Sequence, residues 1–130
     1  MLNFKKAKDI PYPRCMNLEV FRNFCLSLPG VYEKTPFNET TLVFYVGSKM
    51  FALTDMDIFS AVNLKADPEI AVQLREAFPS VKPGYHMNKK HWITVEMDGS
   101  IPDKLILEWV KHSYDLVFDK LTKREKQEIQ

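Results

Sequence analysis

The stretch Gly84-Tyr85-His86-Met87-Asn88-Lys89-Lys90-His91-Trp92 places two histidines, two lysines and two large aromatic rings within nine positions. Residues of these types can do three kinds of chemistry. Imidazoles titrate near neutral pH and can move protons or hold a metal. Ammonium groups at a chain reversal can reach phosphates, and rings beside them can stack on bases.

The histidine readings lack companions. His86, His91 and His112 are the only histidines of the chain. On a strand, residues five apart point to opposite faces, so His86 and His91 share a metal only if the loop between them folds back. No fourth ligand accompanies His112, and no metal site or cofactor is expected. Catalysis by His86 or His91 ranks lowest, because no nucleophile or carboxylate partner stands at a recognisable spacing. The four glycines form neither GxGxxG nor GxxxxGK[ST], and there is no GxSxG elbow.

The basic reading has more physical support. Lys89, Lys90 and protonatable His91, with Lys82 nearby, place cations where phosphates could be reached, with Tyr85 and Trp92 beside them. The competing reading is a solvated hairpin tip, with Trp92 opening an alternating run that turns its ring into the core.

These residues need elements to position them. In NLEVFRNFCLSLPG, Leu18, Phe21, Phe24, Cys25 and Leu28 recur at helical spacing, with Asn17 as cap and Pro29-Gly30 as stop. In ETTLVFYVGSKMFALTD the period changes, and two β-rich runs near 40–46 and 49–54 flank Gly47-Ser48, the signature of a tight hairpin. A third strand is expected over Phe59 to Lys65. Asp67-Pro68-Glu69 then opens a helix that ends before Pro79. Two further strands are expected at Val81 to His86 and Trp92 to Met97, with Asp98-Gly99 as the closing turn. From Pro102, the residues Ile106, Trp109, Val110, Ser113, Tyr114, Val117, Phe118 and Leu121 mark the longest helix.

The predicted order is α-β-β-β-α-β-β-α. Strands joined by short turns favour an antiparallel sheet of about five strands, and helices packed on one face complete a two-layer α+β domain. Residues 1–16, with Pro11 and Pro13, read as an N-terminal extension, 17–122 as the domain, and 123–130 as a charged tail that is solvated helix or frays.

With 130 residues, 45% hydrophobic and 27% charged, the chain has the composition of a globular protein, and disordered and collagen-like classes are excluded. A net charge of +1 excludes wholesale electrostatic binding but leaves room for a local basic patch. Cys15 and Cys25 are too few for a disulfide framework and lack CxxC spacing; Cys25, on the helix stripe, is expected to be a small buried hydrophobe. No apolar run has the length of a signal peptide core or a membrane span, so a cytoplasmic protein is expected.

Several segments together, SLPGVYEKTPF, LVFYVGSKMFAL, VNLKADPE, PGYHMNKKHWITV and HSYDLV, resemble the MmcQ/YjbR-like bacterial family over about residues 17 to 122. The resemblance implies a two-layer fold similar to secretion-chaperone-like or frataxin-like sheets. It also implies DNA binding, in which two β-hairpin wings contact the duplex. On the matching positions it points to Lys89, Lys90 and His91, with Lys49 at the first hairpin and Lys65 in NLK as secondary contacts. Frataxin-like iron binding is not expected, because the first helix carries a single acid. A secretion-chaperone-like sheet would instead bind a protein partner through its face or edge. Neither resemblance nor composition specifies the oligomeric state.

Overall fold

The computed structural model describes residues 16–85 and 87–129. The expectations for residues 1–15, Cys15 among them, and for His86 fall outside the described residues. The chain forms α1 (Leu18–Ser27), β1 (Val31–Lys34), β2 (Thr41–Val46), β3 (Lys49–Asp55), β4 (Ala61–Lys65), α2 (Pro68–Ala77), β5 (Val81–Pro83), β6 (Trp92–Glu96), α3 (Asp103–Asp119) and α4 (Lys123–Ile129).

The helix starts follow local chemistry. The Asn17 side chain accepts from the Val20 amide at 2.9 Å, and Asp67 accepts from the Glu69 amide at 3.0 Å with Pro68 just inside the helix. Each occupies a first-turn N–H that has no helical partner. In α1 the buried positions are Phe21 and Cys25, one turn apart, and in α3 they are Ile106, Trp109, Val110, Ser113, Tyr114 and Val117.

The strands form one antiparallel sheet in the order β1-β2-β3-β4-β6-β5. Leu42, Phe44 and Val46 of β2, Val62 and Leu64 of β4, and Ile93 and Val95 of β6 turn to the helix layer and join one core with Phe21, Ala71, Ile106, Val110 and Val117. Phe21 meets Phe44 edge-on, and Phe51 meets Tyr114 in the same way. Truncating a buried ring of this kind costs about 3–5 kcal/mol.

The sheet has six strands where about five were expected. The additional strand, β1, has four residues with alternating burial on a sheet edge, too short and too polar to show a period of its own. A β-bulge interrupts the β2–β3 register between Phe44 and Tyr45, so that Phe51 has no opposite residue on β2. As a result, consecutive residues Phe51 and Ala52 are both buried in the core.

One boundary also differs from expectation. Met16 is buried in the core rather than lying in an extension. Residues beyond 122 take the helical one of the two expected forms, as α4, which has no buried residue and touches the domain through Glu125 and Ile129. Thr122 and Glu125 make a reciprocal cap, with the Glu125 amide donating to Thr122 Oγ1 at 3.1 Å and the Thr122 amide donating to Glu125 Oε1 at 3.2 Å. The other Glu125 oxygen accepts from the Ser48 amide at 2.8 Å, and Ile129 covers Gly30. No helix among the described residues is long and apolar enough to cross a membrane.

Candidate functional site

The strand registers bring several of the expected basic residues to one end of the sheet. Lys49 opens β3, Lys65 closes β4 opposite Trp92, and Trp92 opens β6. The Gly47-Ser48 turn and the 84–91 loop are therefore at the same end, on either side of β4. Neighbouring strands are about 4.8 Å apart, so β3 and β6 are separated by about 10 Å there.

Lys65 senses the crowding of this end. Burial lowers the pKa of its ammonium, and the neighbouring charges of Lys120 and Lys49 lower it further. Lys120, at the C-terminal end of α3, was not among the expected contacts. Its proximity to Lys65 follows from the packing of α3 on β3 and β4, which no local motif announces.

The 84–91 loop is built by its own polar groups. Asn88 Oδ1 accepts from the Lys90 amide at 2.9 Å, and the Asn88 carbonyl accepts from the Trp92 amide at 2.9 Å. Lys89 Nζ donates to the Gly84 carbonyl at 3.3 Å, so this cation also closes the loop. The His91 carbonyl accepts from the Ala66 amide at 2.8 Å, which fixes the loop beside the end of β4. Lys90 and Lys89 are exposed and His91 is half-buried. Lys82 stands apart, in the middle of β5 opposite Thr94.

Trp92 is buried as expected, but not on the helix side of the sheet. Ile93 and Val95 occupy the helix-facing positions of β6, so Trp92 and Thr94 lie on the opposite, open face. The Trp92 side chain is nevertheless only 7% exposed. The chain at Gly84 passes so close that a Cβ there would come within 2.7 Å of Trp92 Cβ and 2.9 Å of its carbonyl oxygen.

The open face also carries a cleft of about 850 Å³. Leu53, Asn63, Thr94 and Trp92 contribute to its lining, with Phe37 on one side and Tyr85 on the other. Across its middle the Tyr85 amide donates to Thr94 Oγ1 at 2.9 Å, and Thr94 Oγ1 donates to Asn63 Oδ1 at 2.5 Å. Sequence reasoning missed this pair. The available signal was an asparagine inside the strand AVNLK, a position where that residue is disfavoured.

Among the described residues no three His, Cys, Asp or Glu side chains converge as metal ligands. His112 lies on α3 with Nε2 buried and without a hydrogen-bond partner, whereas His91 is on the 84–91 loop. Burial pushes the Cys25 thiol pKa up, so it stays protonated, in keeping with a small buried core group.

The antiparallel α+β architecture places the chain among two-layer sheet proteins, and the comparisons give the family. The YjbR pattern matches residues 26–116. The chain is 38% identical over 112 residues to the uncharacterised protein YbdF of Escherichia coli O157:H7, covering 85% of this chain and 92% of that protein. It is 34% identical over 100 residues to the uncharacterised protein YjbR of Escherichia coli K12, covering 76% of this chain and 85% of that one. The crystal structure of Deinococcus radiodurans protein DR2400, a DUF419 domain, superposes with a TM-score of 0.84 at 43% identity and 90% coverage of both chains. A Pseudomonas syringae crystal structure superposes with a TM-score of 0.66 at 28% identity, over 78% of this chain and 98% of that one. The chain belongs to the YjbR family.

Proposed function

We propose that this chain is a non-catalytic DNA-binding protein that holds the phosphate backbone of a duplex with the basic end of its sheet. The observation that carries the reading is that strand register puts Lys49 and Lys65 at one end of the sheet, where burial and the charges of Lys120 and Lys49 hold Lys65 below its ordinary pKa. Like charges kept close together raise the free energy of the unliganded protein, and a phosphate between them relieves that cost. Lys89, Lys90 and His91 extend the cationic end along the second hairpin. Lys82, being mid-strand, is a peripheral contact. The two hairpins stand on either side of β4 as a pair of wings. On this reading the protein works in the bacterial cytoplasm, where the chromosome is.

The test is fluorescence anisotropy of a labelled duplex at two salt concentrations. Binding should weaken as salt rises, with each lost phosphate contact lowering the slope of log K against log salt by about 0.9. Lys49→Ala with Lys65→Ala, and Lys89→Ala with Lys90→Ala, should each weaken binding. Absence of binding at low salt, or affinity unchanged by both pairs, overturns the reading.

A further inference from the structure

The three carboxamides that line the open-face cleft share a property. Asn38 Oδ1 accepts from the Thr40 and Thr41 amides at 2.9 and 2.7 Å, and Asn88 Oδ1 accepts from the Lys90 amide. These donors are backbone N–H groups, so the orientation of both side chains is fixed. At Asn63 the argument needs one more step. Thr94 Oγ1 accepts from the Tyr85 amide and donates its single proton to Asn63 Oδ1, the carboxamide atom that faces it. In all three cases the oxygen is occupied, and no described group accepts from the Nδ2 atoms. The three Nδ2 groups are therefore N–H donors left open on side chains that line the cleft.

The rest of the lining adds to this selectivity. Leu53, Met50 and Trp92 provide apolar surface, and Phe37 and Tyr85 expose 64% and 68% of their area at the sides. Among the described lining residues Asp55 is the only acid, and there is no Lys or Arg. Asp55 Oδ1 is taken by the amides of Asp57 and Ile58 at 2.8 and 3.1 Å. A cleft of about 850 Å³ is in the range of small-molecule sites, which combine apolar walls with a few oriented polar groups.

We infer that this cleft binds a neutral, planar heterocycle bearing ring carbonyls, with its acceptors directed to the Asn63, Asn88 and Asn38 amide nitrogens. The preorganised donors reject a ligand that offers only donors, because each Nδ2 would then face an N–H without an acceptor. The cleft adjoins the basic end through the 84–91 loop and Trp92, but its described lining holds no Lys or Arg, so its occupancy by a neutral ligand does not depend on the DNA-binding reading.

Thymidine is a suitable probe: its base is planar and neutral, presents two ring carbonyls on either side of one N–H, and it carries no phosphate for the lysines to bind. Titrated into the ¹⁵N-labelled protein, it should shift the side-chain NH₂ signals of Asn38, Asn63 and Asn88 and the indole signal of Trp92 together and saturably. Tryptamine, an aromatic cation with donors only, should not. Asn63→Asp and, separately, Asn88→Asp keep the oxygen that accepts internally and replace the donor by an acceptor. Each should weaken thymidine binding at least tenfold while the remaining spectrum stays dispersed. If Asn63→Asp does not fold, Asn88→Asp on the exposed loop decides. The inference is overturned if no saturable shifts occur up to the solubility limit of thymidine, or if they map away from the cleft. Equal binding of tryptamine, or unchanged affinity in the folded variants, also overturns it. Loss of duplex binding with thymidine binding retained would refute only the DNA reading.

Discussion

Ser113 Oγ on α3 donates to the Phe51 carbonyl at 2.5 Å and accepts from the Lys65 amide at 2.8 Å. The hydroxyl stands where the β3–β4 ladder stops, one residue beyond the Ala52–Leu64 pair. It supplies the partners that the bulged strand no longer provides. A single fully buried side chain thereby ties the longest helix to β3 and to the strand end that carries Lys65.

Ser113→Ala should leave a buried carbonyl and a buried amide without partners. The expected loss is about 1–3 kcal/mol for such unsatisfied groups, read from the urea unfolding midpoint. An unchanged midpoint would mean that water or a local shift replaces the hydroxyl.

Gly84→Ala should disturb the loop that covers Trp92, because the added Cβ would contact the Trp92 backbone at 2.9 Å and its Cβ at 2.7 Å. Overpacking of this kind costs about 1–3 kcal/mol. Hydrogen exchange should be faster at the amides of Gly84, His91 and Trp92 than in the parent protein. Equal protection in both proteins would show that the loop accommodates the methyl group.

Asp98 supports a pH prediction. Ser100 Oγ and then Ser80 Oγ donate to its carboxylate, at 2.6 and 2.5 Å, and with the Ser100 amide they hold its pKa at about 2 rather than 3.8. A depressed folded-state pKa gives stability that is complete above 3.8 and is lost as pH falls through about 2. Asp98→Asn should therefore be less stable than the parent at pH 7, and the difference should shrink on acidification. A difference in unfolding midpoint that stays constant across the acid range would contradict this.

Ending the chain after Thr122 should destabilise the domain, because α4 supplies the acceptor for Ser48 and the side chain over Gly30. The expected loss is about 2 kcal/mol, the order of burying one isoleucine side chain. Thermal unfolding of the truncated protein is the measurement, and an unchanged midpoint would return these residues to the status of a tail.

Lys120→Ala should weaken duplex binding about as much as Lys49→Ala, since both ammoniums act on Lys65. Anisotropy titrations of the two variants at matched salt compare them directly. An inert Lys120 would confine the interface to the two hairpins.

Local chemistry was legible where one residue decides the outcome. Asn17 and Asp67 cap the helices they were expected to cap, and Gly47, with φ of 58°, forms the hairpin turn expected of Gly-Ser. The α3 stripe was readable because six of its buried positions repeat one spacing. What required the folded chain depends on partners far apart in sequence. The Asn63–Thr94 bond needs the β4–β6 register, and the Lys65–Lys120 proximity needs α3 docked on the sheet. The burial of Trp92 was legible but its side was not, because alternation fixes which residues share a face but not which face meets the helices.

The strand order has a kinetic side. β1 to β4 follow one another as a meander, whereas β6 reaches β4 only after α2 and β5 have been made. Contacts between distant segments carry the larger loop-closure cost, so the β4–β6 seam is expected to form after the meander. That seam joins Lys65 to Trp92 and Asn63 to Thr94. A chain stalled before this step would retain a helix and a four-stranded hairpin array, yet would display neither the assembled cationic end nor the completed cleft.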